Sequence, residues 1–308
     1  MHPTSVTELL GIDHPVVQAG MAFGYTNVEL VASVTGAGGL GVLGCLNRSR
    51  ADTVSDLSRI RAATARPFGV NFVVEHLDPG VFDVCLDARV PVFTFFRGEP
   101  ASVVHQAHAA GALVVYQVTT VAEADAALRA GADVLVAQGS EAGGHVGPIP
   151  LKEILPAVVA RARGVPVLAA GGIVDRSSLR AVMSLGAAGA WIGTRFVATV
   201  ESPASPAHKK AILESRPGDT IRTPIWDLIW GRAWPGVEVR SIRNSVTERW
   251  LGREDEIPAH RDEINAALDD ATRRGDANEM DLLAGEGAGV ITTLAPAAAL
   301  VREIAEDA

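Results

Sequence analysis

The sequence predicts an α/β protein, a (β/α)8 TIM barrel with a mostly helical insertion after strand 8. Two observations carry this. Helix-like stretches ending in Ala-Gly or Leu-Gly are each followed by a short apolar run, as at Ala110-Gly111, Ala130-Gly131 and Leu185-Gly186. The runs do not alternate, as suits parallel strands buried on both faces. Eight such units point to a closed barrel rather than to the doubly wound sheet that is the alternative.

In chain order the strands begin near Pro15, Leu40, Phe68, Val92, Leu113, Val134, Val167 and Ala190. Between them, Thr120 and Glu123 form a capping-box pattern before an Ala-rich helix. Leu151, Ile154, Leu155, Val158 and Val159 form one helical stripe, and Leu179, Val182 and Met183 another. The repetition breaks after Phe196. From Pro203 to about Leu283 the chain is richer in Pro, Trp, Arg and Asp, and four of its five Trp fall here. The predicted organisation is a barrel over 1–202, a helical insertion or substrate subdomain over 203–284, and a C-terminal segment over 285–308 that returns to the barrel. Tryptophans exposed on the insertion would offer a homodimer interface.

Composition narrows the function. The formal charge is 27 − 36 = −9, so nothing draws the chain to nucleic acid or anionic membranes. No apolar stretch is long enough to span a bilayer. The first thirteen residues lack the basic and apolar regions of a secretory signal, so the expected location is cytoplasmic. Cys45 and Cys85 have no metal-ligand spacing and read as buried free thiols.

Ligands of such barrels bind at the C-terminal ends of the strands, phosphate often in the last two loops. Strand seven ends in Gly171-Gly172, and strand eight in Gly193-Thr194 opening a short helix. Bare backbone amides and a helix start suit a phosphate. After strand six, "QGSEAGGHVG" joins adjacent glycines to His145. Imidazole, with an ordinary pKa of about 6.5, takes a proton near neutrality. Asn71 at the end of strand three and Gln117 at the end of strand five add neutral amides. His2, His14, His105, His108, His208 and His260 show no site pattern. His76 follows strand three and can approach the rim. No combination reads as a metal site.

"PVVQAGMAFG", "GAGGLGVLG", "PFGVNF", "QGSEAGGHVG", "VPVLAAGGIVD" and "GAWIGTRF" together resemble the ordered motifs of the nitronate monooxygenase (2-nitropropane dioxygenase) family, from about Pro15 to Thr199. The resemblance returns near Gly285. It implies an FMN-binding barrel. Ala19, Gly20 and Met21 would lie against the flavin ring, Asn71 and Gln117 would contact it, and Gln138 would lie near its ribityl chain. Gly143, Gly144, Gly172, Gly193 and Thr194 would enclose the phosphate end, and His145 would be the catalytic base. The implied activity is oxidation of alkyl nitronates or nitroalkanes by O2 to carbonyl compounds and nitrite. Flavin-dependent enoyl-acyl-carrier-protein reductases share the "EAGGH" loop, so an NAD(P)H-dependent reductase of that or a quinone type is the alternative. A flavin-storing or ligand-sensing barrel would keep the glycines without needing His145. Trp191 stands where relatives often carry a small or polar residue. Glu286 replaces an expected Gln and would place a carboxylate near the flavin.

Overall fold

Parallel strands joined by right-handed crossovers twist, and eight of them close on themselves. The computed structural model, which describes residues 5–22 and 24–306, has this closure. His2 and Phe23 lie outside the described residues. Strands β1 (Val16–Gln18), β2 (Val42–Gly44), β3 (Gly69–Val73), β4 (Val92–Phe96), β5 (Leu113–Val118) and β6 (Val134–Gln138) come first. A short β7 (Gly144–Val146) stands outside the barrel, and β8 (Val167–Ala170) and β9 (Gly189–Ile192) complete it. The barrel order is β1-β9-β8-β6-β5-β4-β3-β2, parallel throughout. The eight strand starts agree closely with the sequence reading, the largest gap being Leu40 against Val42.

The seam between β1 and β2 has the thinnest backbone pairing. Among the described residues it is bridged around Leu40, whose N–H donates to the Val16 carbonyl at 3.1 Å and whose carbonyl accepts from the Gln18 N–H at 2.9 Å. The fully buried Gln18 side chain supplies what the backbone omits. Its Oε1 accepts from the Val42 N–H at 3.1 Å, and its Nε2 donates to the Val42 carbonyl at 3.1 Å and to the Ala19 carbonyl. One amide thus extends the ladder where the strands diverge.

Successive strand residues face opposite sides. Val17, Leu40, Val42, Val92, Val115, Val134, Val136, Leu168 and Trp191 fill the barrel interior. Their neighbours, such as Val70, Phe93, Phe95, Val114, Leu135 and Ala169, pack outward under the helices. Trp191 is therefore a core side chain that also floors the cleft above it. The Thr120–Glu123 capping box forms on the helix Val121–Ala130, which Gly131 ends at φ +96°. Cys45 and Cys85 are buried free thiols.

Beyond β9 and the four-residue helix Thr194–Val197, the 203–284 segment carries helices Pro206–Glu214, Ile225–Trp230, Ser245–Trp250 and Ile257–Arg274. It also holds two strands that the sequence reading did not anticipate, β10 (Thr220–Thr223) and β11 (Glu238–Ile242). They form an antiparallel sheet in the order β10-β11-β7, so the segment pairs with the loop after β6. Trp226, Trp234 and Trp250 are buried within the chain and Trp230 is half-buried. This corrects the expectation of exposed tryptophans as a dimer surface: Trp226 and Trp250 pack with Ile225, Ile229, Val239 and Ile257 instead.

The helix Ala297–Ala305 packs against β1 and the helices Val28–Gly36 and Arg176–Ser184, where a barrel helix after the last strand belongs. Glu201 anchors it, accepting from the Ala297 N–H at 2.9 Å and the Ser33 hydroxyl at 2.9 Å. Among the described residues no helix is long and apolar enough to cross a membrane.

Candidate active site

Inward-facing residues at the C-terminal end of each barrel strand surround an open space. Asn71, Phe96, Gln117, Gln138 and Ala170 share one cleft, of about 1150 Å³ including its mouth, with Ala19, Gly20 and Met21 beyond β1. Gly143, Gly144 and His145 line it from the loop after β6, Gly172 from the loop after β8, and Gly193 and Thr194 from the end of β9. Every residue proposed from sequence thus lies on one wall system. Asn71 differs in detail. It sits in the middle of β3 rather than at its end, and its Nδ2 donates to the Thr94 hydroxyl at 2.8 Å.

Bare backbone forms much of this wall. A Cβ on Gly143 would stand 2.6 Å from the Ala284 carbonyl carbon, and one on Gly285 would stand 2.6 Å from the Glu141 carbonyl oxygen. These glycines let the loop after β6 touch the turn at 284–287. The contact is fixed by the Glu286 N–H, which donates to the Glu141 carbonyl at 2.9 Å, and by the Gly285 N–H, which donates to the Thr194 hydroxyl at 2.9 Å. Glu141 also accepts from the Leu151 N–H at 2.8 Å, capping the next helix. By contrast, a Cβ on Gly193 would meet nothing nearer than Met21 Sδ at 3.7 Å, so its backbone faces open cleft.

Glu286 corrects a second expectation. Its neighbours Gly285 and Gly287 line the cleft, but its own exposed side chain pairs with Arg240 Nη2 at 3.1 Å. That carboxylate is spent on an arginine. Burial, the larger influence, lowers the Arg240 pKa while Glu286 opposes the shift.

His145 lies on β7, its backbone in register with Val239 of β11. Its Nε2 stands 2.8 Å from Asp227 Oδ1, with side-chain exposures of 8% and 9%. A carboxylate only accepts, so the shared proton belongs to Nε2 and Nδ1 is left as the basic nitrogen. The His145 ring stacks on Trp234 at 4.0 Å and 24°. Trp234 lines the cleft and packs on Val73, Phe96 and Leu46. It also contacts the His76 ring at 4.7 Å, and the Arg97 guanidinium lies 5.9 Å from its centre. His76 therefore does approach the rim, through Trp234. Arg97 is paired with Glu75 at 3.1 Å.

Asp227 and Trp234 escaped the sequence reading. The available signal was one carboxylate inside the apolar run "IWDLIW", which is anomalous unless it has a buried partner. Of the other histidines, His108 pairs with Asp133 at 2.8 Å on the outer face. His208 is buried beside Tyr25, a cleft residue, and its Nε2 stands 3.1 Å from the Leu283 carbonyl. Burial lowers the His208 pKa to about 4, against the raising effect of that carbonyl. Among the described residues no three His, Cys, Asp or Glu side chains gather as metal ligands.

The cleft also fits a planar, polar-edged cofactor. Among the described residues Gln138 Oε1 is buried on its wall with no hydrogen-bond partner, and the glycine backbones at 172, 193 and 285 line the same space. A ring system with donors and a phosphate tail would answer both features.

Comparison with known proteins agrees. The sequence pattern of the family described as nitronate monooxygenase matches residues 4–82 and 76–307. The chain is 33% identical over 249 residues to the (3aS,4S,5R,7aS)-5-hydroxy-7a-methyl-1-oxo-octahydro-1H-indene-4-carboxyl-CoA dehydrogenase of Mycobacterium tuberculosis, covering 80% of this chain and 68% of that one. The structure of FabK from Thermotoga maritima superposes with a TM-score of 0.88 at 33% identity, covering 99% of this chain and 95% of that chain. The nitroalkane oxidase of Streptomyces ansochromogenes superposes with a TM-score of 0.84 at 30% identity, covering 97% and 96%. With that match spanning both barrel and insertion, the chain is a flavin-dependent oxidoreductase and belongs to the nitronate monooxygenase family.

Proposed function

We propose that this chain holds FMN in the cleft and oxidises alkyl nitronates, or nitroalkanes first deprotonated by His145, with O2 to carbonyl compounds and nitrite. The observation that carries this is His145 on the cleft wall, paired behind it with Asp227 at 2.8 Å. A nitroalkane is a carbon acid, so its oxidation begins with removal of a proton beside the nitro group. Asp227 fixes the imidazole tautomer and stabilises the cation formed when Nδ1 takes that proton.

The remaining residues hold the reactants. Ala19, Gly20 and Met21 would support the flavin ring, with Asn71 and Gln117 at its polar edge. Gln138 would meet the ribityl hydroxyls, which supply the donor its Oε1 lacks. Gly143, Gly144, Gly172, Gly193 and Thr194 would enclose the phosphate. When bound, the flavin supplies the redox chemistry, taking electrons from the substrate and passing them to O2. Phe96, Val73 and Trp234 make the cleft wall on the side of His145 apolar. His145→Ala should retain bound flavin and lose turnover of nitroalkanes. Undiminished oxygen uptake by that variant would sink the assignment of the base.

A second reading is flavin-dependent redox chemistry on an acyl thioester, with NAD(P)H as electron donor. It is favoured by the likeness to a relative named for a CoA-linked acid. Anaerobic mixing separates the two. Rapid bleaching of the flavin by NADH, without nitrite formation from nitronates, would favour the thioester reading.

A further inference from the structure

Trp234 has an unmet polar need. Among the described residues its Nε1 is buried with no hydrogen-bond partner, in a residue only 5% exposed. The ring itself is firmly held, stacked on His145 and packed on Val73 and Phe96. A buried N–H without an acceptor bears its full desolvation penalty, so such a group in a cleft wall points to an acceptor that arrives with a ligand. The group beside it is the proposed base. Gln138 Oε1, a second unpartnered side-chain atom on the cleft wall among the described residues, is an acceptor and so cannot serve an anion.

Resting on the nitronate reading, we propose that Trp234 Nε1 is the hydrogen-bond donor to the substrate oxygen on which negative charge resides, a nitronate oxygen or the nitro oxygen of a nitroalkane losing its proton to His145. Trp234 is then a substrate-positioning residue, selecting small planar oxyanions whose charged oxygen lies beside the carbon that His145 addresses. The stack fixes the indole next to the imidazole, and packing with Val73 and Phe96 holds the ring in place. Nothing is oxidised or transferred in this step; one hydrogen bond forms.

The test compares flavin-loaded wild type with Trp234→Phe, which keeps an aromatic ring against His145 but removes the N–H. Isobutyrate, an unreactive carboxylate with the heavy-atom connectivity of propyl-2-nitronate, is titrated against the flavin spectrum of each. Loss of a hydrogen bond to a charged acceptor predicts binding weaker by roughly ten- to a hundredfold in the variant. The KM for propyl-2-nitronate should rise in parallel, with kcat changed little. In ¹⁵N-labelled wild type, one of the five indole N–H resonances should shift downfield on adding isobutyrate, and it should be the one absent from the variant. Equal isobutyrate affinities, or an indole region that isobutyrate leaves unmoved, would overturn the proposal; if Trp234→Phe fails to fold, Trp234→Tyr supplies both the affinity comparison and the missing resonance. Absence of nitronate turnover in wild type would instead remove the functional reading, while the isobutyrate and resonance results still judge the donor.

Discussion

Replacing Asp227 with Asn separates orienting the proposed base, His145, from building the cleft. The two side chains are nearly isosteric, so the helix Ile225–Trp230 and its packing should persist. What changes is charge and donor pattern. Asn can turn its amide N–H toward Nε2, which forces the proton onto Nδ1 and blocks the basic nitrogen, or it can accept without stabilising the imidazolium. The pair is 2.8 Å long and both side chains are under a tenth exposed, so solvent screens it little. A hydrogen bond to a charged partner in such a setting contributes roughly 1.5–3 kcal/mol. At about 1.4 kcal/mol per tenfold, kcat on a nitroalkane should fall about ten- to a hundredfold. Oxygen uptake and nitrite release measure this, with flavin absorbance confirming occupancy. The preformed nitronate has no proton left to remove, so its oxidation should fall far less. An Asp227→Asn enzyme as fast as wild type on nitroalkane would refute the orienting role. Equal losses on nitroalkane and nitronate would refute the link between this pair and deprotonation.

Other expectations follow from the same geometry. Gln18→Ala leaves the Val42 N–H and carbonyl without their side-chain partners at the barrel seam, at roughly 1–3 kcal/mol for each buried group. Urea unfolding should show a lower midpoint, and an unchanged midpoint would mean the seam does not need the amide. His208 is neutral in the fold, with a pKa of about 4 against an ordinary 6.5. Its contribution to stability is complete above pH 6.5 and is lost as pH falls toward 4, where the unfolded chain alone takes up the proton. At about 1.4 kcal/mol per pKa unit the loss approaches about 3 kcal/mol. His208→Gln, which keeps a donor for the Leu283 carbonyl, should flatten the stability profile in that window. An unchanged profile would show that His208 is not the titrating group.

The barrel was legible because each of its units is local. An apolar run, a glycine cap and a helical stripe can all be read within about thirty residues, and the run at Leu113–Val118 behaves as its sequence says. Asn71, Gln117, His145, Gly172, Gly193 and Thr194 were legible for a related reason, because a residue at or near the C-terminal end of a barrel strand has few places to go, whereas Ala19, Gly20, Met21, Gln138, Gly143 and Gly144 came from the family resemblance. What could not be read were the non-local pairings. β7 is "GHV", too short and glycine-rich to declare itself, and its partner β11 lies about ninety residues on with charged and apolar side chains mixed. Asp227 meets His145 only because that pairing forms. Glu286 went the opposite way. Its position beside cleft glycines was read correctly, but the direction of its side chain was decided by Arg240, which no local pattern connects to it.

The β10-β11-β7 sheet has a consequence for how such enzymes diverge. The strand that carries His145 is paired, charge-matched and stacked by residues of the 203–284 segment, whereas the glycines and amides of the cofactor cradle come mostly from the barrel loops. Two inheritances therefore meet at one imidazole. Substitutions in the later segment that spare its pairing with Gly144 can retune the proposed base and the space above it without disturbing strand closure. A single barrel lineage can thus supply descendants acting on different acids by redrafting one stretch of about eighty residues, and the most informative chimaeras would exchange that stretch between relatives.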